Sequence, residues 1–244
     1  MEASSKRVLI TGASRGIGLE FARQYLSRGD HVVATARDPQ KADELNQLAK
    51  DHSDRLLIVP LDVASDLSIE KAREAVAAQG DSLDVLINHA GVYGVHIGRD
   101  GQPAESIGSL KAEGALSVMH TNAVAPLMIV QAFIGLLKKS KSPRIVNITS
   151  GYGSVSSNAG DFPYYYAASK AALNMFMRSL AGDPAARGVV TIVMSPGWVK
   201  TDMGTSAAPL EAKDSVAGMI AVIDKLSAGD NSRFLNWRGE EQPW

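Results

Sequence analysis

The sequence predicts an α/β fold, a single doubly wound parallel sheet of about seven strands with helices on both faces. Three observations predict it. Six short runs are rich in β-branched residues and continuously apolar, longer stretches with helical periodicity alternate with them, and no linker, repeat or low-complexity segment interrupts the 244 residues. Continuous apolar runs, unlike alternating ones, mark strands covered on both faces. Strand–helix alternation brings right-handed crossovers and hence a parallel sheet.

The runs are 8–11 (VLIT), 31–36 (HVVATA), 56–61 (LLIVPL), 85–88 (VLIN), 145–149 (IVNIT) and 189–195 (VVTIVMS), and a shorter one at 233–235 adds a seventh strand at an edge. Helical periodicity covers 17–27, 38–51, 66–78, 111–139 and 167–181. Segments 92–110, 152–163 and 197–214 are rich in loop formers, and each follows a predicted strand. Open α/β sheets bind ligands at the carboxyl ends of their strands, so these three are the expected walls of a pocket. Residues 1–244 read as one domain.

Composition excludes several functions. The formal net charge is −1, so no broad basic field attracts nucleic acid or an anionic membrane. No apolar run reaches the roughly 20 residues that cross a bilayer, and the polar start (MEASSKR) is no signal peptide. With no cysteine there is no disulfide, thiol chemistry or Cys-based metal site. The five histidines (His31, His52, His89, His96, His120) never fall at ligand-like spacing, so no metal is expected. The cytoplasm is the default location.

The first strand leads into Thr11-Gly12-Ala13-Ser14-Arg15-Gly16-Ile17-Gly18 and then an amphipathic helix. Glycines there permit a tight turn and close approach of the backbone to a pyrophosphate, while the helix N-terminus offers free N–H donors and a partial positive charge. No Gly-Lys-Ser/Thr follows, so this is a Rossmann-type dinucleotide turn and not a P-loop. An NAD enzyme usually places an acid after the second strand to bind the ribose 2′-hydroxyl. Here that strand ends Thr35-Ala36-Arg37. Arg37 and Arg15 suit a 2′-phosphate, which favours NADP(H) over NAD(H), while Asp38 offers a competing acid one step late.

Tyr166 and Lys170 lie four residues apart, so one helical turn puts them on a shared face. A free phenol titrates near 10. A nearby ammonium, with the charge of an oxidised nicotinamide, would favour phenolate and lower that value. Tyr164 and Tyr165 have Ala168 and Ser169 at the same offset and cannot take this part.

Taken together, the motifs resemble the short-chain dehydrogenase/reductase family. The glycine motif matches, as do Asp62-Val63 after the third strand, Asn88-His89-Ala90-Gly91 after the fourth, Asn122, Ser150, Tyr166-x-x-x-Lys170, Pro196-Gly197 and Thr201, in order over residues 11–201. Residues 197–203 (GWVKTDM) and 234–244 (FLNWRGEEQPW) look like the branch of C-factor and similar carbonyl reductases. The resemblance implies a catalytic set of Ser150, Tyr166, Lys170 and Asn122. Ser150 would stabilise charge on the substrate oxygen, though Ser154, Ser156 and Ser157 are rivals. Asn122 would hold a proton-relay water, or merely satisfy a helix bend beside Pro126.

It also implies a cofactor surface of Gly12, Ser14, Arg15, Gly16, Ile17, Gly18, Arg37, Asp62, Val63, Asn88, Ala90, Gly91, Tyr166, Lys170, Pro196, Gly197, Val199 and Thr201. Two departures stand out: His89 replaces the usual asparagine and receives no chemistry here, and the Ser150–Tyr166 separation is a few residues longer than usual. The implied activity is reversible hydride transfer between NADP(H) and a small-molecule aldehyde or ketone, by a homodimer or homotetramer joined through 111–139 and 167–181. Tyr93, His96, Tyr152, Phe162 and Trp198 hint at an apolar or aromatic substrate, although loop aromatics equally serve local packing. The rivals are a dinucleotide-binding regulator of C-factor type and a binder of S-adenosylmethionine, the latter leaving Tyr166 and Lys170 without work.

Overall fold

The computed structural model describes residues 5–94, 105–160 and 163–244. Its strands are β1 (Arg7–Ile10), β2 (His31–Ala36), β3 (Leu56–Pro60), β4 (Val85–Asn88), β5 (Arg144–Ile148), β6 (Val190–Ser195) and β7 (Phe234–Asn236). Its helices are α1 (Gly16–Ser27), α2 (Asp43–Asp51), α3 (Asp66–Ala77), α4 (Ala112–Met119), α5 (Ala125–Leu137), α6 (Tyr164–Ala181) and α7 (Ala212–Lys225). The seven strands form one parallel sheet in the order β3-β2-β1-β4-β5-β6-β7.

Successive strand side chains point to opposite faces. Val8, Ile10, Val85, Ile87 and Val146 therefore enter one core, with residues of α1, α2 and α7. Leu9, Val33, Leu86 and Ile145 enter the other, where Ile69 and Val76 of α3 and Ile129 and Phe133 of α5 cover them. Leu173 and Met177 of α6 join Val193 and Phe234 in a third cluster. Burying a large apolar side chain of this kind stabilises the fold by about 1.5–3 kcal/mol.

The chain winds outward through β1, β2 and β3, then returns to place β4 on the other side of β1. This reversal between β1 and β4 is the switch point where such sheets open a crevice. Thr11 stitches it together: its N–H donates to Ile87 O (3.0 Å), and its hydroxyl accepts from His89 N (3.0 Å) and Ala90 N (3.1 Å).

Three expectations need correction. The helix expected over 38–51 is a short 3-10 turn at Pro39–Lys41 and then α2, because Ala42 leaves the helical region (φ −100°, ψ 63°) to bury its methyl. The helix expected over 111–139 contains a π turn at His120–Val124, where Ala125 N donates to His120 O. Pro126 lacks an N–H and crowds the preceding carbonyls, so the chain widens ahead of it. Through this turn Ala112–Leu137 becomes continuous, a helix long and apolar enough to cross a membrane by length and composition alone, although polar residues such as His120, Asn122 and Gln131 interrupt its apolar run. Its apolar side goes into the core through Ile129, Val130, Phe133 and Leu137. Finally, α7 occupies what was expected to be the end of a loop and its sequel, although Val216, Met219, Ile220 and Ile223 carry helical spacing.

Helix α6 begins earlier than expected and places Tyr166 in its first turn. The seventh strand lies at Phe234–Asn236, paired with β6. Beyond it the chain folds back along the outer edge: Asn236 N donates to Glu240 O (2.9 Å) and Gln242 N to Phe234 O (2.8 Å), with Leu235 opposite Glu241.

Candidate active site

The glycine turn follows from backbone geometry. Gly12 has φ +71°, and a Cβ on it would sit 2.8 Å from Ala90 Cα. A Cβ on Gly18 would sit 2.3 Å from Gly12 O. Only glycine fits at either place. The N-cap residue of α1, Arg15, makes no side-chain cap, and its first turn holds no acid. Its first N–H groups thus face the crevice without a side-chain acceptor, a setting for an anion. The cradle fits the pyrophosphate of a dinucleotide.

Around this turn, Arg37 is exposed and makes no ion pair among the described residues. Asp38, the competing acid, is engaged by Lys41 (2.9 Å), whose ammonium holds its carboxyl below the usual range. Arg15 reaches Asp202 (3.1 Å), and Thr201 Cγ2 lies 3.4 Å from the Cβ position of Gly16, so the segment after β6 lies on the turn. Ser14 and Ile17 belong to the same turn; Ile17 also packs into the core. Asp62 N donates to Ser68 Oγ (2.9 Å), while Asp62 Oδ1 accepts from Ala64 N (3.0 Å), which fixes Asp62 and Val63 just after β3.

At the end of β4, the expected cofactor residue Asn88 is buried and donates to Asn147 Oδ1 (2.9 Å) and Pro126 O (3.4 Å). Its side chain ties β4 to β5 and α5. The His89 ring sits on the turn, with Nδ1 3.1 Å from Gly12 O, and burial lowers its pKa to about 4. His89 is therefore a neutral packing element at ordinary pH.

The second half of the site centres on Tyr166 and Lys170, both buried on α6. Lys170 Nζ donates to Ile148 O (2.9 Å) and lies 5.7 Å from the Tyr166 ring centre. Tyr93 and Tyr152 frame the same ring, with centroids 4.8 Å and 6.3 Å away. Ser150 hydrogen-bonds the Tyr166 side chain, and its oxygen accepts from Tyr152 N (3.2 Å). Of its rivals, Ser154 and Ser157 bond each other (3.0 Å) and Ser156 bonds the main chain of Trp244 (2.6 Å). A Cβ on Gly91 would stand 3.2 Å from Asn122 Oδ1 and 3.7 Å from Lys170 Nζ, which joins this cluster to the glycine turn through Ala90.

The lowering expected of the phenol includes the charge of an oxidised nicotinamide; the protein's own residues act in the other direction. Burial pushes Tyr166 up to about 12, and the hydrogen bond with Ser150 only partly opposes it. Burial likewise pushes Lys170 down to about 8. Desolvation is the largest influence on both groups, so the protein's own residues keep the phenol protonated.

Asn122 sits in the π turn with its side chain engaged. Its Oδ1 accepts from Val92 N (2.8 Å), and its Nδ2 donates to Val92 O (2.7 Å) and Ser169 Oγ (3.0 Å). Both amide hydrogens hold the loop after β4 against α6, so the side chain positions that loop. Pro196 O accepts from Ser215 Oγ (2.6 Å), Gly197 packs on Leu210 and Trp237, and Val199 is buried opposite Leu210. Trp198 is not brought to Tyr166 by any described contact: it is exposed and donates to Gly204 O (2.7 Å). His96 and Phe162 lie outside the described residues. A cavity of about 500 Å³ between α7 and β7 contains none of the expected site residues.

Sequence reasoning placed Thr11 in the glycine motif without its bridging role, and missed Glu105. Glu105 is buried, and its Oε2 accepts from Tyr165 N (2.8 Å) in the first turn of α6, where the N-cap residue Pro163 has no side-chain acceptor. It caps the helix next to Tyr166 from 60 residues upstream. Glu105→Ala should lower stability by about 1–2 kcal/mol, the usual worth of a cap; an unchanged urea midpoint would refute this.

A family model described as short chain dehydrogenase matches residues 6–211. The chain belongs to that family. Among relatives of this dehydrogenase, the C-signal of Myxococcus xanthus is 39% identical over 162 residues, covering 66% of this chain and 93% of that protein. Among solved structures, the NADPH-bound carbonyl reductase from chicken fatty liver is similar at 36% identity (TM-score 0.90, 99% of this chain and 100% of that one). The carbonyl reductase Sniffer of D. melanogaster is 31% identical (TM-score 0.90, 98% and 100%). The short-chain dehydrogenase fold thus extends over nearly the whole chain, and the family is one of oxidoreductases.

Proposed function

We propose that this oxidoreductase is an NADPH-dependent carbonyl reductase in which Tyr166 is the proton donor. The observation that carries the reading is the buried cluster of Tyr166, Lys170 and Ser150, joined through Gly91 and Ala90 to a glycine turn that fits a pyrophosphate. The names of the two structural neighbours support it.

Gly12, Ser14, Gly16, Ile17 and Gly18 hold the pyrophosphate, Asp62 and Val63 border the adenine, and Ala90, Gly91, Pro196, Gly197, Val199 and Thr201 border the remainder. When bound, the reduced nicotinamide supplies the hydride for the carbonyl carbon. Tyr166 gives its proton to the carbonyl oxygen; a phenol raised to about 12 stays protonated through the neutral range, the state that reduction needs. Lys170, cationic below about 8, favours the phenolate that proton transfer leaves behind. Ser150 donates to the substrate oxygen as charge builds there. Asn122 keeps Val92, and with it Gly91, in place. Tyr93 and Tyr152 face the substrate. A homodimer or homotetramer through 111–139, which forms α4 and α5, and 167–181 of α6 accords with the exposure of Leu116 and Met175.

Preference for NADP(H) over NAD(H) rests on Arg37, which has no acid partner among the described residues, and on Arg15, whose exposed bridge to Asp202 is weak and exchangeable. Arg37→Asp should lower the ratio of NADPH to NADH catalytic efficiency about 10- to 100-fold, the worth of one charge-assisted contact. An unchanged ratio would sink the assignment.

The similarity to C-signal favours a second reading, a dinucleotide-binding regulator with little turnover. A panel of aldehydes and diketones, followed by NADPH oxidation, separates the two: turnover on none of them supports the regulator.

A further inference from the structure

The loop between β5 and α6 carries Ser150 and Tyr152, yet it is long and polar and holds little apolar surface of its own. Its near end is fixed against α6. Asn174 Nδ2 donates to Gly153 O (3.1 Å), and a Cβ on Gly153 would meet Lys170 backbone at 3.0 Å. Its middle is tied internally, Ser157 N donating to Ser154 Oγ (3.2 Å).

What attaches that middle to the rest of the fold is Trp244. Ser156 donates twice to the main-chain oxygen of Trp244, from its amide (3.1 Å) and its hydroxyl (2.6 Å). Trp244 is itself held from two sides. Its ring packs on Phe234 of β7 (centroids 5.7 Å), and the Arg178 guanidinium of α6 lies 4.9 Å above it. Phe234 is fully buried, so this anchor reaches the third apolar cluster.

We propose that Trp244 is a positioning residue for carbonyl reduction: by gripping Ser156 it holds the Ser150–Tyr152 loop at working distance from Tyr166. The claim rests on the carbonyl reductase reading for its chemistry, but its mechanical part stands alone. A donor to a developing oxyanion acts only when preorganised, and small misplacements of a site are expensive in rate.

The experiment compares wild type, Trp244→Ala, Trp244→Phe and Ser156→Ala by hydrogen–deuterium exchange of residues 150–160. In parallel, steady-state reduction of 2,3-butanedione and 9,10-phenanthrenequinone and NADPH binding by fluorescence are measured. Trp244→Ala should speed loop exchange about tenfold and lower kcat about tenfold, with the NADPH Kd within twofold of wild type. Trp244→Phe, which keeps a ring beneath Arg178 and the main-chain oxygen, should restore kcat to within about threefold. Ser156→Ala keeps the amide bond and should lower kcat two- to threefold; it carries the test should Trp244→Ala fail to fold.

Unchanged loop exchange in Trp244→Ala and Ser156→Ala, or faster exchange with kcat intact, would overturn the proposal. So would a loss of activity that Trp244→Phe does not repair. If wild type reduces neither diketone, the carbonyl reductase reading falls, and loop exchange still decides whether Trp244 anchors Ser156.

Discussion

Tyr166→Phe should lower carbonyl reduction by about a thousandfold or more, within the range that positioned general acids contribute, while NADPH binds nearly as before. The substitution is informative because it removes one atom and little else. The ring keeps its contacts with Tyr93 and Tyr152 at 4.8 Å and 6.3 Å, so the packing of the cluster survives. Only the phenolic oxygen and its hydrogen bond with Ser150 are lost. Turnover and NADPH fluorescence titration on the same preparation separate chemistry from binding. Residual activity within tenfold of wild type would remove Tyr166 from the proton-transfer step.

Lys170→Met should lower kcat/KM about a hundredfold, and it carries a signature in pH that a packing defect would not. Lys170 has its pKa depressed to about 8, so it is cationic below that value and neutral above. Reduction by wild type should therefore decline as pH rises through about 8, and this limb should be missing from the methionine variant. The stability effect has the opposite sign. Because burial disfavours the charged form, the folded state bears a penalty at pH below 8 that is relieved as the ammonium loses its proton. An apolar side chain of similar length escapes that penalty, so Tm at pH 7 should hold or rise. A pH limb that persists in Lys170→Met would assign it to another group.

The strands were legible in the sequence because each is a short β-branched run buried on both faces, and the 3.6-residue period exposed most helices. The glycine turn and the Tyr166–Lys170 pair were legible because they depend on local spacing alone. What escaped depends on tertiary context. Glu105 lies 60 residues from the amide it caps, and Thr11 serves amides 78 and 79 residues away, so no local pattern announces either. The burial that raises the phenol escaped for the same reason: spacing reveals a neighbouring ammonium but not how deeply the pair is buried. Helix α7 is different, since Val216, Met219, Ile220 and Ile223 did carry the pattern, hidden behind a Gly-, Ser- and Thr-rich approach.

The backward fold after β7 has a consequence for solubility. An open sheet leaves its outermost strand with unpaired amides and carbonyls, a template on which another chain can add by strand-to-strand polymerisation. Residues 240–242 occupy that template from within through Asn236 and Phe234. The stretch that delivers Trp244 to Ser156 is thus also a molecular selvedge, and removing 240–244 should produce aggregates that Trp244→Ala, with the selvedge intact, does not.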